Sequence, residues 1–155
     1  MPHRMNTNHW SRFILIILIL FQAASGLVGG VALVMDPSGG NMQLPPDMLN
    51  QSPFSSFFIP GLILLLVLGI FPIFVFIGLV WRPPWKWANI LNVYKNRYWG
   101  WTYALYIGIM LVIWITTQLF FIKDYHILHT IYAMLGVAIM IAALLPMVMD
   151  QYETR

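Results

Sequence analysis

Polar side chains that can bind a ligand or move a proton gather where the third apolar stretch ends and the fourth begins. His126 and His129 stand three residues apart, so a helix would place both imidazoles on one face. Asp124 precedes them, and Asp36 follows the first apolar stretch. Histidine with aspartate suits general acid–base chemistry, and the same atoms can ligate metal ions. The candidate polar patch comprises Asp36, Thr117, Gln118, Asp124, His126, His129 and Thr130.

The patch lacks a pattern that would assign it a reaction. Two histidines at a helix end beside water are more often structural or interfacial residues than metal ligands. The sequence contains no nucleophile elbow, zincin motif, phosphate-binding loop or dinucleotide fingerprint. We therefore predict a ligand-binding patch near the outer face, with no catalytic residue, no metal and no cofactor.

The composition places these residues in a membrane protein. Hydrophobic residues make up 60% of the 155 residues and charged residues only 8%, against roughly 25% charged in soluble domains. Because cysteine is absent, disulfides, thiolate metal sites and dithiol redox chemistry are excluded. The net charge is +3, without a basic cluster interleaved with base-reading residues, so no nucleic acid is expected as a partner.

Four uncharged runs are long enough to cross a bilayer. Roughly 20 apolar residues, each rising about 1.5 Å, span the hydrocarbon core. Such runs occupy residues 13–35, 57–81, about 100–122 and about 127–149. We predict an all-α fold, a four-helix transmembrane bundle forming a single domain over residues 1–155. A structured loop over residues 36–56 and an interfacial connection over residues 82–99 join the helices.

The first run has a competing interpretation as a signal peptide. The sequence "MPHRMNTNHWSR" followed by "FILIILILF" and "QAAS" has the basic, apolar and small-residue regions of such a peptide. Apolar sequence continues through "GLVGGVALVM", however, and gives a run of spanning length. We predict an uncleaved first span.

Lysine and arginine orient the four spans, because short loops rich in these residues stay in the cytoplasm. Lys123 is the only cation on one predicted side, and residues 36–56 contain neither lysine nor arginine. Both termini are therefore predicted to be cytoplasmic, and the loop over residues 36–56 is predicted to be translocated. The cations on the predicted cytoplasmic side are Arg4, Arg12, Arg82, Lys86, Lys95, Arg97 and Arg155.

Small residues mark the predicted contact faces of the helices. Gln22, Gly26 and Gly30 share one face of the first span, and Gly136 lies on a stripe of small and polar residues in the fourth. The GxxxG spacing also occurs in helix dimers, but three neighbouring spans favour packing within the chain.

Pro72 lies inside the second span. A proline has no backbone N–H, so Pro72 leaves the carbonyl of Leu68 without its helical donor and predicts a kink. The kink fits either a hinge or a fixed packing shape, and we favour the packing shape.

The loop over residues 36–56 is rich in turn-forming residues. Its "DPSGG" predicts a turn, and "LPPD" and "SPF" add stiff segments. A stiff loop with apolar side chains is expected to pack on the polar patch rather than extend into water.

The motifs "DPSGG", "LP", "SPF" and "IPG", in this order before an apolar span, resemble a group of small, generally uncharacterised bacterial integral membrane proteins with four spans. The likeness covers most of the chain, and its distinctive residues lie in the loop and at the start of the second span. It implies the architecture and a bacterial inner-membrane setting, and it implies no activity, cofactor or catalytic residue.

Two functional interpretations follow. The first is a non-catalytic accessory or scaffold subunit that contacts membrane lipids and a membrane protein complex or a second copy of itself. The alternative is a membrane-embedded binding protein or enzyme for a lipid-like or apolar ligand whose polar end meets the outer patch. A channel or ion-coupled transporter is disfavoured, because the spans contain no Asp, Glu, Lys or Arg.

Overall fold

The computed structural model describes residues 9–122 and 125–154. Four of its helices are long and apolar enough to cross a membrane: α1 (His9–Met35), α2 (Phe58–Trp81), α3 (Trp99–Ile122) and α4 (Ile127–Leu144). A short helix, α5 (Pro146–Gln151), follows α4. Within the described ranges, pairing of the β type is limited to an isolated bridge between Arg97 and Glu153. The predicted all-α fold with four membrane-spanning helices is confirmed.

The first three helices lie close to their predicted positions, whereas the fourth is shorter than predicted. We expected a span to about residue 149, and α4 ends at Leu144. Pro146 disfavours the helical conformation at the preceding residue, and Leu145 adopts φ −59° and ψ 128°. The chain then resumes as α5, with Pro146 as its first residue. The sequence stays apolar across this break, so the length of the apolar run overestimates the length of the helix.

α1 and α2 pack antiparallel with their backbones in close approach. A Cβ atom at Gly26 would overlap the carbonyl of Leu68, and one at Gly30 would overlap the backbone of Leu65. The paired positions rise along α1 as they fall along α2, which makes the helices antiparallel. The small-residue face of α1 is therefore used inside the chain.

A side chain of α1 occupies the gap that proline opens in α2. Gln22, which is 1% exposed, donates from Nε2 to the carbonyl of Leu68 at 3.1 Å. This carbonyl is the one that Pro72 leaves without a helical donor. α2 forms a π-helical turn over Leu66–Ile70 just before the proline. The Oε1 atom of Gln22 is buried without a hydrogen-bond partner among the described residues.

α3 and α4 form the second close pair. A Cβ atom at Gly136 would lie 2.9 Å from the carbonyl oxygen of Gly108. Toward one end of the same pair, Trp101 donates from Nε1 to the carbonyl of Ala143 at 2.8 Å. Small residues thus bring the two backbones together, and a buried indole fixes their register.

The bundle has two polar ends. The loop end comprises residues 36–57, the last two turns of α3 and residues 125–130. The basic end comprises the first turn of α1, the last turn of α2, the connection over residues 82–98, the first turn of α3 and residues 145–154.

Candidate functional site

The predicted polar patch lies at the loop end, where its hydroxyl groups bond within their own segments. Thr117 donates from Oγ1 to the carbonyl of Ile113, one turn earlier in α3, at 2.8 Å. The hydroxyl of Thr130 shares a hydrogen bond with that of Tyr125. Gln118 is partly buried, and Asp124 lies outside the described residues.

His126 and His129 form the N-terminal cap of α4. The N–H of Leu128 donates to His126 Nδ1 at 3.3 Å, and the N–H of His126 donates to His129 Nδ1 at 3.1 Å. This reciprocal arrangement is a capping box, which satisfies amides at the helix start. Residues 9–122 and 125–154 contain no group of three His, Asp or Glu side chains that could hold a metal ion.

Asp36 is engaged inside the loop. Its carboxylate accepts hydrogen bonds from Ser38 Oγ at 2.5 Å and from the N–H of Asn41 at 2.8 Å. These bonds, with that from the Ser38 side chain the strongest, hold the pKa of Asp36 below its ordinary value of 3.8. The carboxylate therefore stabilises the turn as an anion at neutral pH.

The loop is folded across its end of the bundle. The N–H of Phe57 donates to the carbonyl of Pro37 at 2.9 Å and closes the loop. Two 3₁₀ turns, Gly40–Met42 and Pro46–Leu49, lie near α1 and α3 respectively. In the described part of the chain, no hydrogen bond links the loop to the histidine cap. The structure therefore brings the two histidines together and leaves Asp36 in a separate hydrogen-bonded turn.

At the basic end, side chains join segments that are far apart in sequence. Arg12 of α1 donates from Nη2 to the carbonyl of Leu79 at 2.8 Å and from Nε to the hydroxyl of Tyr152 at 3.0 Å. The same hydroxyl donates to the carbonyl of Leu79 at 3.0 Å. These bonds hold the start of α1, the end of α2 and the segment after α5 together.

Tyr152 anchors this network. Its side chain is 1% exposed, and burial raises the pKa of its hydroxyl, which therefore stays protonated as a donor. The guanidinium of Arg82 lies over its ring, 4.4 Å from the centroid, in a cation–π contact. Arg82 follows the last residue of α2 as its C-cap and adopts the left-handed region with φ 50°, a conformation that is uncommon for a residue with a Cβ atom.

A buried asparagine fixes the connection over residues 82–98 to α3. Asn92 is 2% exposed, donates from Nδ2 to the carbonyl of Arg97 at 2.8 Å and accepts from Thr102 Oγ1 at 2.6 Å. Burying an amide is costly unless its groups are paired, so these bonds specify one conformation of the connection.

Two tyrosines of α3 fasten the same connection. Tyr103 donates to the carbonyl of Ala88 at 2.5 Å, and Tyr106 donates to the carbonyl of Leu91 at 2.8 Å. The connection is therefore a structured element laid on α3.

Stacked aromatic rings support the other side of the connection. The ring of Phe74 in α2 lies 4.8 Å from that of Trp99 and 5.6 Å from that of Trp85. Gly78 gives Trp99 its space, since a Cβ atom there would overlap the indole. Two further indoles, of Trp81 and Trp87, are mostly exposed, as expected for tryptophans at a membrane–water interface.

These elements line a half-open cavity of about 540 Å³, which we call the basic cavity. Four of its side chains are cationic, two are amides, and the rest are aromatic or small. The basic cavity is lined by Arg82, Pro84, Lys86, Asn89, Asn92, Lys95, Arg97, Tyr98, Trp99 and Thr154.

Positive charge dominates the basic cavity, because none of the described residues that line it has a carboxylate side chain. Lys95 donates from Nζ to the carbonyl of Asn89 at 3.3 Å, and Arg97 donates to the carbonyl of Met149. These partners are neutral, so they leave the charge uncompensated. Trp99 is the first residue of α3, and the positive end of that helix dipole adds to the field. The arrangement can bind an anion.

An apolar groove of about 410 Å³ is also lined in part by the connection. Leu91 contributes to this groove, while Asn89 and Asn92 line the basic cavity. Its lining residues come from the π-helical region of α2, from the connection and from α3: Leu66, Val67, Phe71, Leu91, Tyr106, Ile109 and Met110.

In the sequence, the four cations of the basic cavity indicate the orientation of the chain but not a site. The missed signal lies in the residues between them. Asn89, Asn92 and the tyrosines of the next span are polar groups near lipid, which need fixed partners. They indicate that the connection is folded, and a folded connection brings its cations together.

Comparisons of the chain with protein-family models, with curated proteins and with solved structures find no match.

Proposed function

We propose that this protein is a non-catalytic integral membrane protein that acts by interaction, as an accessory or scaffold subunit whose basic end is the binding surface. The observation that carries the proposal is the composition of the basic cavity. Its groups hold charge or hydrogen bonds, and its described lining has no histidine, aspartate or glutamate to act as a general acid or base.

Tyr98 is the titratable phenol of the cavity, and it is committed to the fold. Its hydroxyl donates to the carbonyl of Pro83 at 2.8 Å. Burial raises the pKa of this hydroxyl further above its ordinary value of 10.0. A phenol that keeps its proton at neutral pH is a poor general base, which favours binding over chemistry.

The proposal includes a location. The surplus of lysine and arginine at the basic end favours a cytoplasmic position for this end and for both termini. The motif resemblance in residues 36–61 favours a bacterial inner membrane. Cysteine-labelling of introduced Ser38→Cys and Asn96→Cys variants in intact cells tests the orientation. An impermeant reagent should label the first and spare the second, and the opposite pattern would contradict the topology.

Purification in a mild detergent followed by native mass spectrometry tests the proposed function. We expect a second polypeptide, or a second copy of this chain, in a fixed ratio. A Lys86→Glu variant should reduce this association, whereas Lys123→Glu, in the other predicted compartment, should not. A monomer that retains lipid alone would contradict the subunit role and favour the alternative of a lipid-binding protein.

A further inference from the structure

We propose that the basic cavity binds the phosphate-bearing headgroup of an anionic membrane lipid. The inference rests on the proposed function, because it names a binding partner for the same cavity. Four observations carry it: the charge, the shape of the donors, the depth in the membrane and the adjoining apolar groove.

The charge selects an anion. One cavity is lined by Arg82, Lys86, Lys95 and Arg97, and its lining has no carboxylate side chain among residues 9–122 and 125–154. Like charges held together raise each other's free energy, and a bound anion relieves this repulsion. Glu153 pairs through its backbone with Arg97 nearby, but its carboxylate does not line the cavity.

The donors match phosphate. A guanidinium presents a planar fork of N–H groups that suits phosphate oxygens, and an ammonium adds a mobile point charge. Arg82 is held over the ring of Tyr152 and Arg97 against the carbonyl of Met149. The two arginines are thus fixed in place, while Lys86 is exposed on the rim and can close on a ligand.

The depth selects a lipid over a soluble phosphate. Arg82 directly follows Trp81, the last residue of α2, and Trp99 is the first residue of α3. The basic cavity therefore lies where two spanning helices leave the hydrocarbon, which is the level of lipid headgroups. Basic pockets of this kind between spanning helices are suited to anionic headgroups.

The apolar groove supplies a place for an acyl chain. Tyr106 and Met110 line it about two and three turns beyond the start of α3, so it lies deeper than the basic cavity. Leu91 belongs to the groove and Asn92 to the cavity. The two pockets therefore meet at neighbouring residues of the connection, and a lipid can place its headgroup in the basic cavity and a chain in the groove.

Competitive lipid retention tests the inference. The full chain is purified in mild detergent with equimolar phosphatidylglycerol and phosphatidylcholine, and the ratio of the two bound lipids is measured by native mass spectrometry. We expect phosphatidylglycerol to be retained preferentially. Lys86→Gln and Lys95→Gln should each lower the ratio about fivefold, the size expected for one basic residue at an anionic surface. Lys123→Gln, the same change elsewhere, should leave the ratio unchanged.

Two further measurements distinguish a lipid from a soluble phosphate and a binding role from a structural one. Millimolar inorganic phosphate should not displace phosphatidylglycerol; displacement would assign the cavity to a soluble phosphate and overturn the lipid. Arg82→Lys keeps the charge but loses the planar fork, so it should lower the ratio while the thermal unfolding midpoint of the protein shows that the fold persists.

Equal retention of the two lipids by the unaltered chain, or the same ratio in both lysine variants, would overturn the lipid inference. A polypeptide partner retained under those conditions would leave the proposed function standing. Turnover of a substrate by the purified protein would contradict the proposed function without affecting lipid selectivity.

Discussion

The loop end and the basic end both carry polar side chains, but they use them differently. At the loop end, the described side-chain hydrogen bonds join residues at most five positions apart, as between Asp36 and Asn41. At the basic end, Arg12 reaches Leu79 across 67 positions and Tyr152 across 140. One end is a set of local caps and turns, and the other is a tertiary network.

The difference explains why a polar cluster in the sequence is not a site in the fold. Histidine, threonine and aspartate near a helix end readily bond to backbone groups close by. Their polar atoms are then already used, and little remains for a ligand. Arginine and lysine have longer side chains and no acceptors, so they reach across segments and leave charge available to a partner.

Arg12→Leu should have the largest effect, since it breaks the basic end at its centre. The loss of charge-assisted bonds to Tyr152 and Leu79 should lower the free energy of unfolding by about 2–3 kcal/mol. Unfolding by SDS in mixed micelles measures this. Arg12→Lys keeps the charge but not the fork, so it should lose less; equal losses would mean that the charge alone contributes nothing to stability.

One pair of variants makes the same chemical change at the two ends. Tyr152→Phe removes a buried hydroxyl that bonds to Arg12 and Leu79, and should cost about 1–2 kcal/mol. Tyr125→Phe removes an exposed hydroxyl bonded five residues away, and should cost under about 0.5 kcal/mol. The same SDS titration compares them, and comparable losses would erase the distinction between the ends.

His126→Ala tests whether the histidines of the loop end are caps. The loss of a cap should cost about 0.5–1 kcal/mol and should increase hydrogen exchange at the amide of Leu128. Thr117→Val is the control, because its hydroxyl bonds to a carbonyl already used by its own helix. A loss of several kcal/mol at His126 would indicate a tertiary role.

The smallest expected effect is a titration confined to the loop. Because the pKa of Asp36 is lowered in the fold, its contribution is complete above 3.8 and is lost as the pH falls through the lower folded value. The Asn41 amide resonance should follow this titration with a midpoint below 3.8. A midpoint at or above that value would show that the turn does not favour the anion.

The sequence predicts the helices better than it predicts the site. Length and hydropathy are enough for four spans, because lipid requires every backbone group to be bonded within a helix. The break at Leu145 was missed, although Pro146 carries the information. Pro72 also predicted a freed carbonyl at Leu68, but not that Gln22 would bond to it, since that depends on the register between two helices.

The basic cavity could not be predicted, because it depends on contacts between segments remote in sequence. Lys86 and Lys95 come together only if the connection turns back on itself. That turn is fixed by Asn92 and by tyrosines of α3 whose partners are backbone carbonyls. Every residue has a backbone carbonyl, so the sequence does not show which carbonyl accepts such a hydrogen bond.

The bond between Arg12 and Tyr152 has a consequence for biosynthesis. A ribosome adds roughly 5–20 residues each second. Arg12 is therefore synthesised on the order of ten seconds before Tyr152. During that interval the hydrogen-bond partners of the Arg12 guanidinium must be water and lipid phosphate at the bilayer surface. The bond that joins α1 to the segment after α5 can therefore form only after nearly all of the described chain has been synthesised.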